Sequence, residues 1–125
     1  MPKFDSRKIE AINSREIVEE LIIDGEAVLT VYENKLSKNY LSEFKTILKY
    51  IEYAANGAPL PKTKLRKYGK DNGVTEYEFK SKHLRVWAIQ LPSKKLIVFG
   101  GYKNSQDADQ RSFWSKKKQY LESIK

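Results

Sequence analysis

The chain is predicted to fold as an α+β domain: a twisted antiparallel sheet with one long helix packed on one face and a C-terminal helix. Three observations carry this. Val74 to Tyr102 reads as three consecutive strands, rich in Val, Ile, Leu and aromatics and broken by short polar turns. Ser37 to Ala55 repeats apolar residues at helical spacing in Leu41, Phe44, Leu48, Ile51 and Ala55. Ser105 to Lys125 opens on the N-cap candidates Ser105 and Asp107 and can set Phe113, Tyr120 and Ile124 on one face, with Trp114 and Leu121 beside it. At 125 residues these elements make one domain with a single core.

In chain order, residues 1–14 are polar and are expected to form a loosely ordered leader, with at most a helical turn around Ser6 to Ile12. Glu16 to Asp24 and Glu26 to Glu33 flank Asp24-Gly25, a hairpin signal, and read as two strands. A helix across EIVEEL is the rival reading. The long helix has Ser37 as its N-cap candidate, with Leu36 and Leu41 placed as a hydrophobic staple. Asn56-Gly57 ends it in the left-handed way, and Pro59 follows. Its stripe is expected to pack on Tyr77, Phe79, Val86 and Val98. Pro59 to Gly73 reads as a loop or partly extended segment. The three strands run over Val74 to Ser81, Leu84 to Leu91 and Lys95 to Tyr102. A two-residue turn at Lys82-His83 places Lys80 opposite Arg85 and turns Tyr77, Phe79, Leu84, Val86 and Ala88 to the core. Lys-His is a poor type I′ pair, which leaves a one-residue slip open. Lys116-Lys117-Lys118 reads as a solvated flank of the last helix.

The formal net charge is +8 and it is uneven. Residues 1–60 hold 8 Lys/Arg against 10 Asp/Glu, whereas residues 61–125 hold 16 against 6. A half so basic, with aromatics interleaved, favours a polyanionic partner and points to nucleic acid. The absence of cysteine excludes disulfides, thiol catalysis and Cys-based zinc sites. The single histidine, His83, excludes a His-rich metal centre, and no cofactor is expected. No apolar run approaches the ~20 residues that span a bilayer. The N-terminus lacks the apolar stretch of a signal peptide, so a cytoplasmic protein without membrane contact is expected.

Tyr77-x-x-Lys80 precedes a tight turn. Leu84-Arg85-Val86-Trp87 follows, then Leu96-Ile97-Val98-Phe99-Gly100-Gly101-Tyr102-Lys103 and a closing helix. This succession, over roughly Leu36 to Ile124, resembles the RelE/ParE toxin superfamily, in particular its RelE/HigB-like members. The resemblance implies the toxin of a type II toxin–antitoxin system, neutralised by a small cognate antitoxin of helix-turn-helix or similar type. It further implies a metal-independent, ribosome-dependent endoribonuclease that cleaves messenger RNA by attack of a ribose 2′-hydroxyl on the adjacent phosphate. Such chemistry needs a proton taken from the 2′-oxygen, charge offset on the phosphoryl oxygens and a proton given to the leaving oxygen.

By that resemblance Arg85 clamps the scissile phosphate, Lys80 stabilises charge or acts as base, and Lys103 closes the last strand as the family's basic residue. His83 and Glu78 join them as candidate acid or base. Candidate RNA contacts are Lys62, Lys64, Arg66 and Lys67 with Tyr68 among them, and Lys82, Trp87, Tyr102 and Arg111. Each has a plainer reading. Arg85 can pair with Glu78, Trp87 can be core, His83 can be a solvated turn residue, and the basic run, which continues to Lys70, can be a solvated connection. An exposed Arg85 would contribute little to stability. After Lys103 the chain departs from the family pattern with Asn104-Ser105-Gln106-Asp107, where many members carry another basic residue and later a catalytic tyrosine. Tyr102 and Tyr120 are the only tyrosines nearby. Two other functions stay open: a ParE-like toxin that binds DNA gyrase, and a non-catalytic nucleic-acid-binding module.

Overall fold

A computed structural model describes residues 2–71 and 73–125; Met1, Asn72 and the side chains of Lys70 and Asp71 lie outside the described residues. The elements are β1 (Phe4–Lys8), β2 (Ile17–Ile23), β3 (Glu26–Ala27), α1 (Val28–Lys35), α2 (Leu41–Ala55), β4 (Leu65–Asp71), β5 (Val74–Lys80), β6 (Leu84–Leu91), β7 (Lys94–Tyr102) and α3 (Gln106–Ser123). Among the described residues the strands form one seven-stranded sheet in the order β1-β2-β7-β6-β5-β4, with β3 paired to β2. The β2–β7 pairing is parallel and the others are antiparallel. The class is therefore α+β, as the strand and helix patterns predict.

The β5–β6 hairpin takes the predicted register. Lys80 lies opposite Arg85, and Ser81 N–H bonds the Leu84 carbonyl at 3.1 Å, which leaves Lys82-His83 as the turn. Tyr77, Phe79, Leu84, Val86 and Ala88 join one core with Phe44, Ile47, Ile51 and Ala55 of α2. Leu29, Tyr32 and Leu36 from α1 and the residue after it pack into the same core. Val98 does not. Trp87 pairs with Phe99 but Ala88 pairs with Ile97, so a bulge sends Ile97 to the α2 side and Val98 to the other. Within α2, Ile47 and Ile51 are fully buried, and the predicted Leu48 packs half-buried against the core.

The second sheet face is also covered. Phe113 and Tyr120 of α3 bury Leu21, Trp87, Ile89, Leu96 and Val98. Trp87 stacks on Phe113 with ring centres 6.2 Å apart. Burial of both faces explains why β6 reads LRVWAIQL, almost without polar alternation. Lys117, expected on a solvated flank, is instead buried with its ammonium 2.6 Å from Glu76 Oε2. Ile124 is exposed rather than part of the packed face.

Three further expectations are corrected. The segment read as a loose leader holds β1, which pairs with β2, and Ile9 and Ile12 behind it are buried. The Asp24-Gly25 turn forms, with φ of 50° and 84°, but its second strand is only Glu26–Ala27 before the chain turns helical. The buried Glu20 carboxylate accepts the N–H groups of Leu29 and Thr30, both at 3.0 Å, so α1 receives its cap from a strand. The Pro59 to Gly73 segment is partly extended, one of its two predicted readings: it carries β4, which pairs along β5. Ser37 precedes a short 3₁₀ turn, Lys38–Tyr40, and makes no side-chain cap. The α2 terminus is as predicted: Gly57 at φ 83° lets its own N–H reach Ala54 and that of Ala58 reach Tyr53.

Candidate functional site

The turn between β5 and β6 places His83 against the first turn of α2. Glu43 grips it twice: one carboxylate oxygen lies 2.7 Å from the ring Nδ1 and the other accepts the His83 backbone N–H at 2.8 Å. The Ser81 hydroxyl also donates to Glu43. Burial would raise the Glu43 carboxyl pKa, but the Ser81 and His83 hydrogen bonds and the charge of His83 outweigh it and hold the group below the ordinary carboxylate value. The carboxylate sets the proton on Nδ1 and leaves Nε2 as the ring's free proton-transfer atom. The Tyr40 ring packs on the imidazole with centres 5.2 Å apart.

The end of β7 returns to the same corner. Leu84 pairs with Tyr102, and Lys103 N–H bonds the His83 carbonyl at 2.9 Å. Tyr40, His83, Tyr102, Lys103 and Asn104 line a cavity of about 240 Å³. His83 and Lys103 thus come together, with Tyr102 beside them. Lys82 is exposed in the same turn, and Arg111 is exposed on the first half of α3, where it shares a surface depression with Lys103.

Glu78, Arg85 and Trp87 are elsewhere. All three lie beneath α3 and are buried, Glu78 and Trp87 completely. Arg85 donates from Nη1 to the carbonyls of Ser81 at 2.6 Å and Leu84 at 2.8 Å. Its Nε lies 3.7 Å from Glu78 Oε2, an ion-pair distance too long for a hydrogen bond. Glu78 also accepts hydrogen bonds from Tyr68 Oη and Gln106 Nε2, each at 2.6 Å. Burial first, then the hydrogen bond to Glu78 and its charge, push the Tyr68 hydroxyl up to about 12. Tyr68 is therefore a structural donor. The pairing reading of Arg85 replaces the phosphate clamp, and Trp87 is core and closed to a base. This also explains how two cations tolerate opposite positions on β5 and β6: the Arg85 charge is met by two carbonyls and a carboxylate.

Lys80 is half-buried and lines a different cavity, at the β4 edge, together with Lys62, Arg66 and Lys67. Arg66 lies 4.8 Å from the centre of the Tyr68 ring. Lys64 turns away to the Tyr50 hydroxyl at 3.0 Å. Glu43, Tyr40 and Gln106 were not anticipated. Glu43 is 40 residues from His83, and in sequence it is only an acid in the first turn of a helix, where the dipole already accounts for it. No family model, curated protein or solved structure matches the chain. Among the described residues no helix is long and apolar enough to cross a membrane.

Proposed function

We propose that the protein is a metal-independent endoribonuclease whose acid–base group is His83. In its fuller form, the proposal is a toxin of a type II toxin–antitoxin system that cuts messenger RNA on the ribosome and is restrained by a small antitoxin. The observation that carries it is the Glu43–His83 pair opening on a cavity shared with Lys103 and two tyrosines. With Nδ1–H held by Glu43, Nε2 draws the proton from a ribose 2′-hydroxyl, and the imidazolium so formed is stabilised by the same carboxylate. Lys103 offsets charge on the phosphoryl oxygens. The 5′-oxygen leaves as the cyclic phosphate closes and takes a proton from water, and the His83 imidazolium returns its proton to solvent. Lys82 and Arg111 extend the cationic surface on which a strand lies.

The burial of Arg85 and Glu78 favours a second reading, a module that binds nucleic acid without cutting it. Single-turnover cleavage of messenger RNA on programmed ribosomes, with mapping of the new ends, separates the two. His83→Ala should lower the rate by ~10²–10⁴ while leaving RNA affinity within about twofold. Glu43→Gln should lower it less, because the ring keeps a hydrogen-bond partner but loses the charge that stabilises imidazolium. A wild-type protein that binds RNA and never cuts it establishes the second reading.

A further inference from the structure

We infer that the cavity at the β4 edge is a second anion site, one that takes a nucleoside phosphate and is separate from the His83 corner. It encloses about 650 Å³ between the C-terminal end of α2, the loop that follows, and strands β4 and β5. That volume is within the ~300–1,000 Å³ of small-ligand pockets. Lys62, Arg66, Lys67, Lys80 and Lys95 line it, and among the described residues no Asp or Glu does. Tyr77 contributes a ring with two ammonium groups near it, Lys95 at 4.9 Å and Lys67 at 5.9 Å from its centre. Lys95 is already paired with Glu16 and Gln90. Lys62 and Lys67 are exposed and, among the described residues, have no acidic partner, so their charge is available to a ligand.

The rest of the lining is apolar, Leu60 and Leu65 included. A bare anion needs cations alone. A flat apolar group beside a phosphate uses both kinds of lining, and a nucleoside phosphate carries both. No residue lines both this cavity and the His83 corner. The corner packs on the first turn of α2 and the cavity on its last. Over the 15 residues of that helix the two ends are roughly 20 Å apart at a rise of about 1.5 Å per residue. Occupancy of the site therefore does not depend on cleavage at His83.

The test is calorimetric titration of the full chain with ADP, pyrophosphate and a five-nucleotide single-stranded RNA. It is repeated for Lys67→Glu, which reverses a charge, and Ala58→Trp, which fills the cavity without altering charge; both positions are exposed. ADP should bind saturably, more tightly than pyrophosphate, and each variant should weaken it about tenfold or more. Amide shifts in the wild type should map to Leu60, Leu65 and Tyr77 and spare His83. RNA that displaces ADP identifies a strand as the source of the phosphate, and RNA that leaves ADP in place identifies the free nucleotide. Absence of saturable ADP binding, shifts confined to the His83 turn, or equal affinity in both variants overturns the site. Pyrophosphate binding as tightly as ADP removes the nucleoside from it.

Discussion

A histidine in a tight turn ordinarily exchanges its protons with water, and its side chain here is still 46% exposed. What sets His83 apart is Glu43, and that carboxylate leaves a thermodynamic mark. Its folded pKa is depressed, so it contributes stability that is fully present above the ordinary value of about 4.5 and is lost as pH falls through the folded value. Urea denaturation of Glu43→Gln between about pH 3 and 6 should show a shallower acid limb than the wild type. The limb should not vanish, because Glu19 is also depressed: its bonds from Lys94 and Ser6 and the Lys94 charge outweigh the upward push of burial. An unchanged limb would detach Glu43 from His83. Arg85 makes the opposite point. The sequence suggests a dispensable exposed cation, yet the guanidinium is buried on Glu78 and two carbonyls. Arg85→Ala should therefore destabilise the fold by about 3 kcal/mol, measured by chemical denaturation, because it strands a buried carboxylate. Loss of function in that variant would then report on folding rather than on a phosphate clamp.

Elements whose signal is local were legible, and those fixed by a distant partner were not. The β5–β6 turn, β6, the body of α2 and its Asn56-Gly57 stop follow from alternation, helical spacing and a left-handed glycine. The helix α1 does not: EAVLTVYE is β-branched and aromatic enough to read as a strand, and a Glu20 carboxylate from β2 satisfies its first N–H groups. The edge strands β1 and β4 are polar because an edge needs few apolar residues, which makes them look like loops. On α2, Leu48 and Ile47 both face the core; helical spacing picks out Leu48, which packs half-buried against it, and passes over Ile47, which is fully enclosed. Ile47→Ala should cost ~2–5 kcal/mol, and Leu48→Ala clearly less, because Ile47 is fully enclosed by the sheet and Leu48 is not. Equal losses by thermal or urea denaturation would mean that α2 sits rotated from its described position.

At the scale of the molecule, the concealed feature is α3. The alternation that turns Tyr77, Phe79, Leu84, Val86 and Ala88 to one core is correct, but it does not tell that Glu78, Arg85 and Trp87 are buried as well. An alternating strand tells which residues share a face but not whether a helix covers it. Closure by Phe113 and Tyr120 moves the accessible chemistry to the His83 turn and the accessible charge to the β4 edge and the outside of α3. The excess of cations in residues 61–125, 16 against 6, still has to be accommodated, and most of it faces water. Single-stranded RNA bound to that surface releases counterions, with about 0.7 of a unit of log–log salt slope per phosphate neutralised. Lys64 is tied to Tyr50, so among the described side chains the cations of the β4 edge exposed to contribute are Lys62, Arg66 and Lys67. Their joint replacement by Ala should make the slope shallower by roughly 2, read from RNA affinity by fluorescence anisotropy across a salt series. Because all three are exposed, the unfolding midpoint should hardly move. A slope that stays put would assign RNA binding to the His83 turn and α3 alone, and leave β4 as an edge strand protected from aggregation by its lysines.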